Sequence, residues 1–255
     1  MKNKALLALV FLVLLTVGCR EEAEPKPKVT YEDAEEVKKT VPKIDSTQIK
    51  IADLPVHMDG TEYLIHPIGD IRIYDDKKKI YGTSRTNNIS YAISNYNRFE
   101  ITGYFENLKF QHIDSTALHS LSNKKLQIQT VTYLNTITRK AVLVYTLVDS
   151  DTNHDSKIDS NDIKSLYISD ISGRNFYKLS HNMEELIDWN TVEVQNRLYF
   201  RTIEDINKNG AFDKNDKLHY YYTELLSPTW EVTSYEPVLT VPITVTDTIT
   251  NVPIN

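Results

Sequence analysis

The apolar and polar positions of four stretches suit strands rather than helices: Ala141–Val148 (AVLVYTLV), Lys164–Ile171 (KSLYISDI), Arg197–Ile203 (RLYFRTI) and Leu218–Leu225 (LHYYYTEL). They are rich in Val, Leu, Ile and Tyr and are bounded by polar turn residues, without helical spacing of their apolar positions. Leu126–Leu134, Asn175–Leu179, Glu185–Val194 and Thr229–Tyr235 read the same way, so residues 126–237 divide into two sets of about four strands. Weaker strand signals lie upstream, near Tyr63–His66, Ile71–Tyr74, Ile80–Thr83, Ile89–Ser94, Phe99–Phe105 and Leu108–His112, with Asp75–Lys79 as a charged hairpin turn. The pattern predicts an all-β protein of antiparallel sheets.

The two sets superimpose without a gap at an offset of 54 residues, which lays Tyr145 on Tyr199 and Tyr167 on Tyr221. Between the middle strands of each set lies an acidic loop. In Asp151–Asp162 (DTNHDSKIDSND), oxygen-bearing side chains stand at positions 1, 3, 5, 9 and 12, as Asp151, Asn153, Asp155, Asp159 and Asp162. The same positions in Asp205–Asp216 (DINKNGAFDKND) are Asp205, Asn207, Asn209, Asp213 and Asp216. This spacing resembles the calcium loop of EF-hand and dockerin-type proteins. The resemblance implies two Ca²⁺ sites, with the position 7 carbonyls of Lys157 and Ala211 as further ligands and with Ile158 and Phe212 turned inward as anchors. Because the flanks read as strands, an ion here would clip a β-hairpin instead of a helix pair. Position 6 of such a loop needs φ > 0; Gly210 supplies it in the second loop, while Ser156 must absorb strain in the first. Both loops end in Asp rather than the longer Glu, which points to affinities of ~10⁻⁴ to 10⁻³ M.

Without its twelve-residue loop each 54-residue unit keeps 42 residues, within the ~40–45 of a WD40-type blade. The stretch Leu166–Ser180 (LYISDISGRNFYKLS) resembles the repeat of TolB-type, WD40-like propellers, in which a strand ending in an acidic residue turns at a glycine, here Gly173. Leu186–Trp189 followed by Arg197–Phe200 is similar to the opening of the next blade, whereas Leu226-Ser227-Pro228 replaces the glycine turn in the second unit. The resemblance implies four-stranded antiparallel blades. Residues 46–125 read as an eroded third unit without a calcium loop. Three blades are fewer than the roughly four to eight of a closed propeller. The expectation is therefore a partial or open propeller, either an open stack of sheets or a fragment completed by a partner.

The ends carry different information. Lys2 and Lys4 precede an apolar run from Ala5 to Val17 and then Gly18-Cys19, a secretory signal too short to span a bilayer. Cys19, the only cysteine, follows this run as in a bacterial lipobox, although Thr16 stands where Leu is usual. Residues 1–18 are thus expected to be removed and Cys19 acylated, anchoring the protein to the membrane by lipid. Removing Lys2 and Lys4 takes the formal charge from −6 to −8, which argues against a nucleic-acid partner. Arg20-Glu21-Glu22 resembles the acidic export tag of surface lipoproteins of the Bacteroidota, implying the outer membrane, on its periplasmic or surface side. Residues 19–45 are charged and proline-bearing, the composition of a flexible acidic tether with at most a turn or two of helix near Tyr31–Lys39. Residues 238–255 suit an edge strand or an extended tail.

Catalytic signatures are missing from the sequence: it holds no HExxH, no Gly-x-Ser-x-Gly and no Gly-rich phosphate loop. Glu184, Glu185 and Asp188 read as a solvated acidic turn. The tyrosines include the run Tyr220-Tyr221-Tyr222, of which alternate members must face opposite sides of a strand. The expected function is a non-catalytic, calcium-stabilised β-repeat lipoprotein that binds a protein or glycan. The alternatives are a glycan-binding component of a surface uptake system and an accessory subunit of an envelope enzyme.

Overall fold

A computed structural model describes residues 26–31, 48–72, 92–135 and 140–238. Cys19 and the signal stretch, the strand signals near Ile80–Thr83 and the tail beyond residue 238 lie outside the described residues, as does most of the expected helical turn near Tyr31–Lys39. Among the described residues there is no α-helix, and all strand pairs are antiparallel.

The strands form three sheets. The first contains β1 (Gln48–Ala52), β2 (Val56–His57), β3 (Tyr63–Arg72), β6 (Asn107–His112) and β7 (Leu118–Ser120). The expected strand Tyr63–His66 and the described start of the expected strand Ile71–Tyr74, residues 71 and 72, merge into β3 despite Pro67. That is possible because β1 and β2 pair with the same edge of β3 and leave a gap opposite Pro67, whose carbonyl accepts the Asp53 N–H at 2.9 Å. The missing Pro67 N–H falls on that gap and no ladder bond is lost.

The middle sheet runs β11-β10-β9-β8-β5-β4, from β4 (Ser94–Tyr96), β5 (Glu100–Phe105), β8 (Gln127–Leu134), β9 (Val142–Val148), β10 (Lys164–Asp170) and β11 (Tyr177–Lys178). The third is the meander β12-β13-β14-β15: β12 (Glu184–Val192), β13 (Arg197–Glu204), β14 (Lys217–Glu224) and β15 (Val232–Ser234). The chain passes from the middle to the first sheet at Glu106, whose N–H is taken by the Ile68 carbonyl at 2.7 Å.

The layers explain the hydrophobic pattern. One face of β9 (Leu143, Tyr145, Leu147) packs with Ile65, Leu108 and Phe110 of the first sheet; the other (Val142, Val144) packs with Leu198, Phe200 and Tyr221 of the third. A strand covered on both faces needs a continuous apolar run, which is what AVLVYTLV is.

The 54-residue offset fails by one residue on β13. Tyr145 pairs with Tyr167 across β9 and β10, so Tyr199 should pair with Tyr221; instead Tyr199 pairs with Tyr222 and Phe200 with Tyr221. The hairpins differ in length. Asp149 and Ser150 separate the end of β9 from the first loop, while β13 runs up to Glu204 beside Asp205. Loop length fixes hairpin register, and a slip of one residue turns side chains to the opposite face. Phe200, not Tyr199, is therefore the counterpart of buried Tyr145; Tyr199 lies on the outer face of the third sheet.

Candidate metal centre and the segment that joins it

Each acidic loop closes a hairpin, β9–β10 or β13–β14. Within the first, the carboxylate of Asp151 takes the N–H groups of Asp155 (3.1 Å) and Ser156 (2.8 Å), and Asn153 Oδ1 also takes that of Asp155 (2.9 Å). Asp155, Asp159 and Asp162 accept from Lys157, Asn161 and Asp159 at 2.9, 2.8 and 3.0 Å. In the second loop Asp205 takes the N–H groups of Asn209 (3.3 Å) and Gly210 (2.7 Å), and Asn207 that of Asn209 (2.9 Å). Asn209, Asp213 and Asp216 accept from Ala211, Asn215 and Asp213 at 2.8, 2.7 and 2.7 Å. The two sets match bond for bond.

The backbones match as well. Positions 4 and 6 are left-handed in both loops: His154 (φ 61°) and Ser156 (68°), Lys208 (57°) and Gly210 (82°). Ser156 does carry the strain expected of a non-glycine residue there. Every side chain at positions 1, 3, 5, 9 and 12 thus uses an oxygen to hold the loop's own backbone. A carboxylate offers about four lone-pair sites, so these bonds leave acceptor capacity over.

The loops differ at position 12. Asp162 is fully buried, and its Oδ1 takes the N–H groups of Thr152 at 2.7 Å and Asn153 at 3.2 Å. Asp216 Oδ1 is buried with no hydrogen-bond partner among the described residues. An unpartnered buried carboxylate oxygen is costly, and a hard cation is the partner such an oxygen suits. The oxygen set of the second loop therefore suits a hard cation such as Ca²⁺, while the first loop offers only the acceptor capacity its own bonds leave over; among the described residues no three His, Cys, Asp or Glu side chains converge as a closed cluster. The expected anchors are only half-buried: Ile158 lines a polar cleft of about 830 Å³, and Phe212 a groove of about 470 Å³. Ile163 and Ala211 are the buried apolar residues of these turns.

Residues 26–31, expected to belong to a free tether, instead lie between the two loops. The N–H groups of Lys28 (2.6 Å) and Val29 (3.1 Å) donate to the Gly210 carbonyl, and that of Thr30 donates to the Thr152 carbonyl (3.0 Å). Thr152 Oγ1 donates to the Lys28 carbonyl at 2.7 Å and Thr30 Oγ1 to the Asn153 carbonyl at 3.0 Å. Lys28 Nζ bonds Glu185 at 2.8 Å and the Asp162 carbonyl at 3.3 Å. Val29 is buried, and burial together with a hydrogen bond to Asp205 pushes the Tyr31 hydroxyl up to about 12. Fixing residues 27–31 costs about 1–2 kcal/mol per residue in backbone entropy. The hydrogen bonds return about 0.5–1.5 kcal/mol each and the buried valine about 2 kcal/mol. The two sides nearly balance. Sequence reading missed this docking; its one signal is the β-branched pair Val29-Thr30 inside a charged stretch.

The acidic cluster on β12 is not a solvated turn either. Glu184 is buried, accepting from Thr202 Oγ1 and from the Tyr221 hydroxyl (3.2 Å); Glu185 holds Lys28, and Asp188 pairs with Arg201. On the outer face of the third sheet Tyr199, Tyr220, Tyr222 and Tyr235 form one aromatic group with centroids 5.5–6.1 Å apart. Tyr221, facing the other way, stacks on Phe200 at 5.2 Å.

No protein-family model matches the sequence, and no curated protein or solved structure matches it either.

Proposed function

We propose that this chain is a non-catalytic, extracytoplasmic lipoprotein, anchored through acylated Cys19, whose β-hairpins are stabilised by two Ca²⁺ ions and which serves as a binding or scaffold module. The observation that carries the calcium reading is the matching set of N–H to carboxylate bonds in the two loops, from different sheets, at the positions an EF-hand loop uses. Asp151, Asn153, Asp155, Asp159, Asp162 and the Lys157 carbonyl would hold one ion. Asp205, Asn207, Asn209, Asp213, Asp216 and the Ala211 carbonyl would hold the other. An ion held there would offset the mutual repulsion of the carboxylates and stabilise each hairpin.

The successive meanders β8–β11 and β12–β15 support a blade-like reading of the repeats within an open propeller. The anchor and the outer-membrane location rest on the order of basic, apolar and small residues before Cys19. Calcium titration calorimetry on the full chain tests the central reading: two sites of roughly 10⁻⁴ to 10⁻³ M are expected, one lost in Asp151→Ala and the other in Asp205→Ala. Absence of binding heat at several millimolar calcium would refute it. Mass spectrometry of membrane-extracted protein should show a lipid-modified Cys19.

A second reading, glycan binding for a surface uptake system, is favoured by the tyrosine face of the third sheet. Aromatic rings flanked by polar groups suit sugar faces. A glycan array probed with wild type and with Tyr222→Ala separates it from a protein-binding scaffold.

A further inference from the structure

The two loops belong to different sheets, yet Lys28–Thr30 bonds to both. Its acceptor on the second loop is the carbonyl of Gly210, whose own N–H is held by Asp205 at 2.7 Å. On the first loop its partners are Thr152 and Asn153, whose N–H groups are held by Asp162. The groups that grip the segment are thus placed by side chains at positions 1 and 12 of the loops. A Cβ on Gly210 would collide with the Val29 carbonyl, so the segment also depends on the glycine of the second loop.

From this we infer that Pro27–Tyr31 is a strap that couples the two loops: order in either loop favours docking of the strap, and the docked strap favours order in the other. The inference rests on the calcium reading above and adds that the sites are cooperative. Coupling between sites is reciprocal, so calcium must also tighten the strap. Its docking is near balance, which lets a modest change in loop order shift it.

The test is a mutant cycle on the full chain, read by calcium calorimetry and by amide hydrogen exchange. Asp205→Asn, which disables the second loop, should weaken calcium at the first loop about fivefold or more. Val29→Asp places a carboxylate in the buried valine site beside acidic loops and should expel the strap. In that background Asp205→Asn should leave the first loop unchanged. In the wild type, exchange at the amides of Lys28, Val29 and Thr30 should slow about tenfold or more when calcium is added. Two sites that bind independently, with strap exchange indifferent to calcium, would overturn the coupling and leave the calcium reading standing. A chain that binds no calcium would overturn both.

Discussion

Gly173 lies against the ring of Phe110, so closely that a Cβ would overlap three of its atoms. The turn it forms, with φ 75° and its N–H on the Asp170 carbonyl at 2.8 Å, belongs to the middle sheet, while Phe110 belongs to the first. His119 reinforces the junction, stacking on Phe110 at 5.5 Å and bonding the Ser172 carbonyl at 2.6 Å. Gly173→Ala therefore combines left-handed strain with overpacking, each about 1–3 kcal/mol. A fall in Tm of about 5–15 °C is expected for a chain of this size. A melt within 2 °C or so of wild type would mean that the two sheets do not meet at this turn.

The slipped register makes a second prediction. If Phe200 is the counterpart of Tyr145, Phe200→Ala and Tyr145→Ala should each cost about 3–5 kcal/mol, as large core truncations do. Tyr199→Ala, on the outer face, should cost less than about 1.5 kcal/mol. Denaturant melts of the three variants decide it. Equal losses for Tyr199 and Tyr145 would restore the strict 54-residue equivalence.

The all-β fold and both loops were legible because their signals are local. A strand covered on both faces, such as β9, advertises itself as a near-continuous apolar run, and a hairpin loop held by its own side chains needs oxygens at fixed spacing. The missed strands β2 and β7 are pieces of two and three residues, too short to show a period, β1 (QIKIA) alternates over only five residues, and β4 starts at Ser94, where the expected strand Ile89–Ser94 ends. The register slip was hidden because Tyr199 and Phe200 are both aromatic, so either one satisfies the pattern. The strap was illegible for a different reason: all of its bonds but the Lys28–Glu185 and Tyr31–Asp205 pairs engage a backbone group, their partners lie far along the chain, and backbone groups leave no mark on sequence. Glu184 was hidden by distance alone, since its burial depends on the side chains of Thr202 and Tyr221, 18 and 37 residues further along the chain.

Acid should loosen the first hairpin through Asp149. Burial works to raise its carboxyl, but the bonds from Lys178 Nζ (2.7 Å) and the Tyr167 hydroxyl (2.6 Å) prevail and hold it below the usual carboxylate range. A depressed folded pKa contributes stability above the unfolded value of about 3.9, and that stability is lost as pH falls through the folded value. Wild type should thus lose stability below about pH 4. Asp149→Asn should start about 1–3 kcal/mol lower at pH 7 and lose less on acidification. Parallel pH profiles for the two proteins would count against the pairing.

Position 12 should separate the loops in both the absence and the presence of calcium. Asp162 holds N–H groups with both oxygens, so in Asp162→Asn one N–H must face the new amide NH₂ whichever way it is turned. Asp216 holds one N–H, from Asp213, and its other oxygen is buried without a partner among the described residues. In Asp216→Asn the amide oxygen can keep that bond, and no donor opposes the NH₂. Without metal, Asp162→Asn should therefore be the more destabilising by about 1–3 kcal/mol. With calcium at about 5 mM, each intact site of Kd ~10⁻⁴ to 10⁻³ M adds about 1–2 kcal/mol, or roughly 2–8 °C in Tm. Wild type should show the sum of two such gains and Asp216→Asn no more than one, so the variant that cost least without the ion falls clearly behind wild type once calcium is added. Thermal melts of the three proteins with calcium and with a chelator make the comparison. An Asp216→Asn variant that gains as much as wild type would show that the unpartnered oxygen holds no ion.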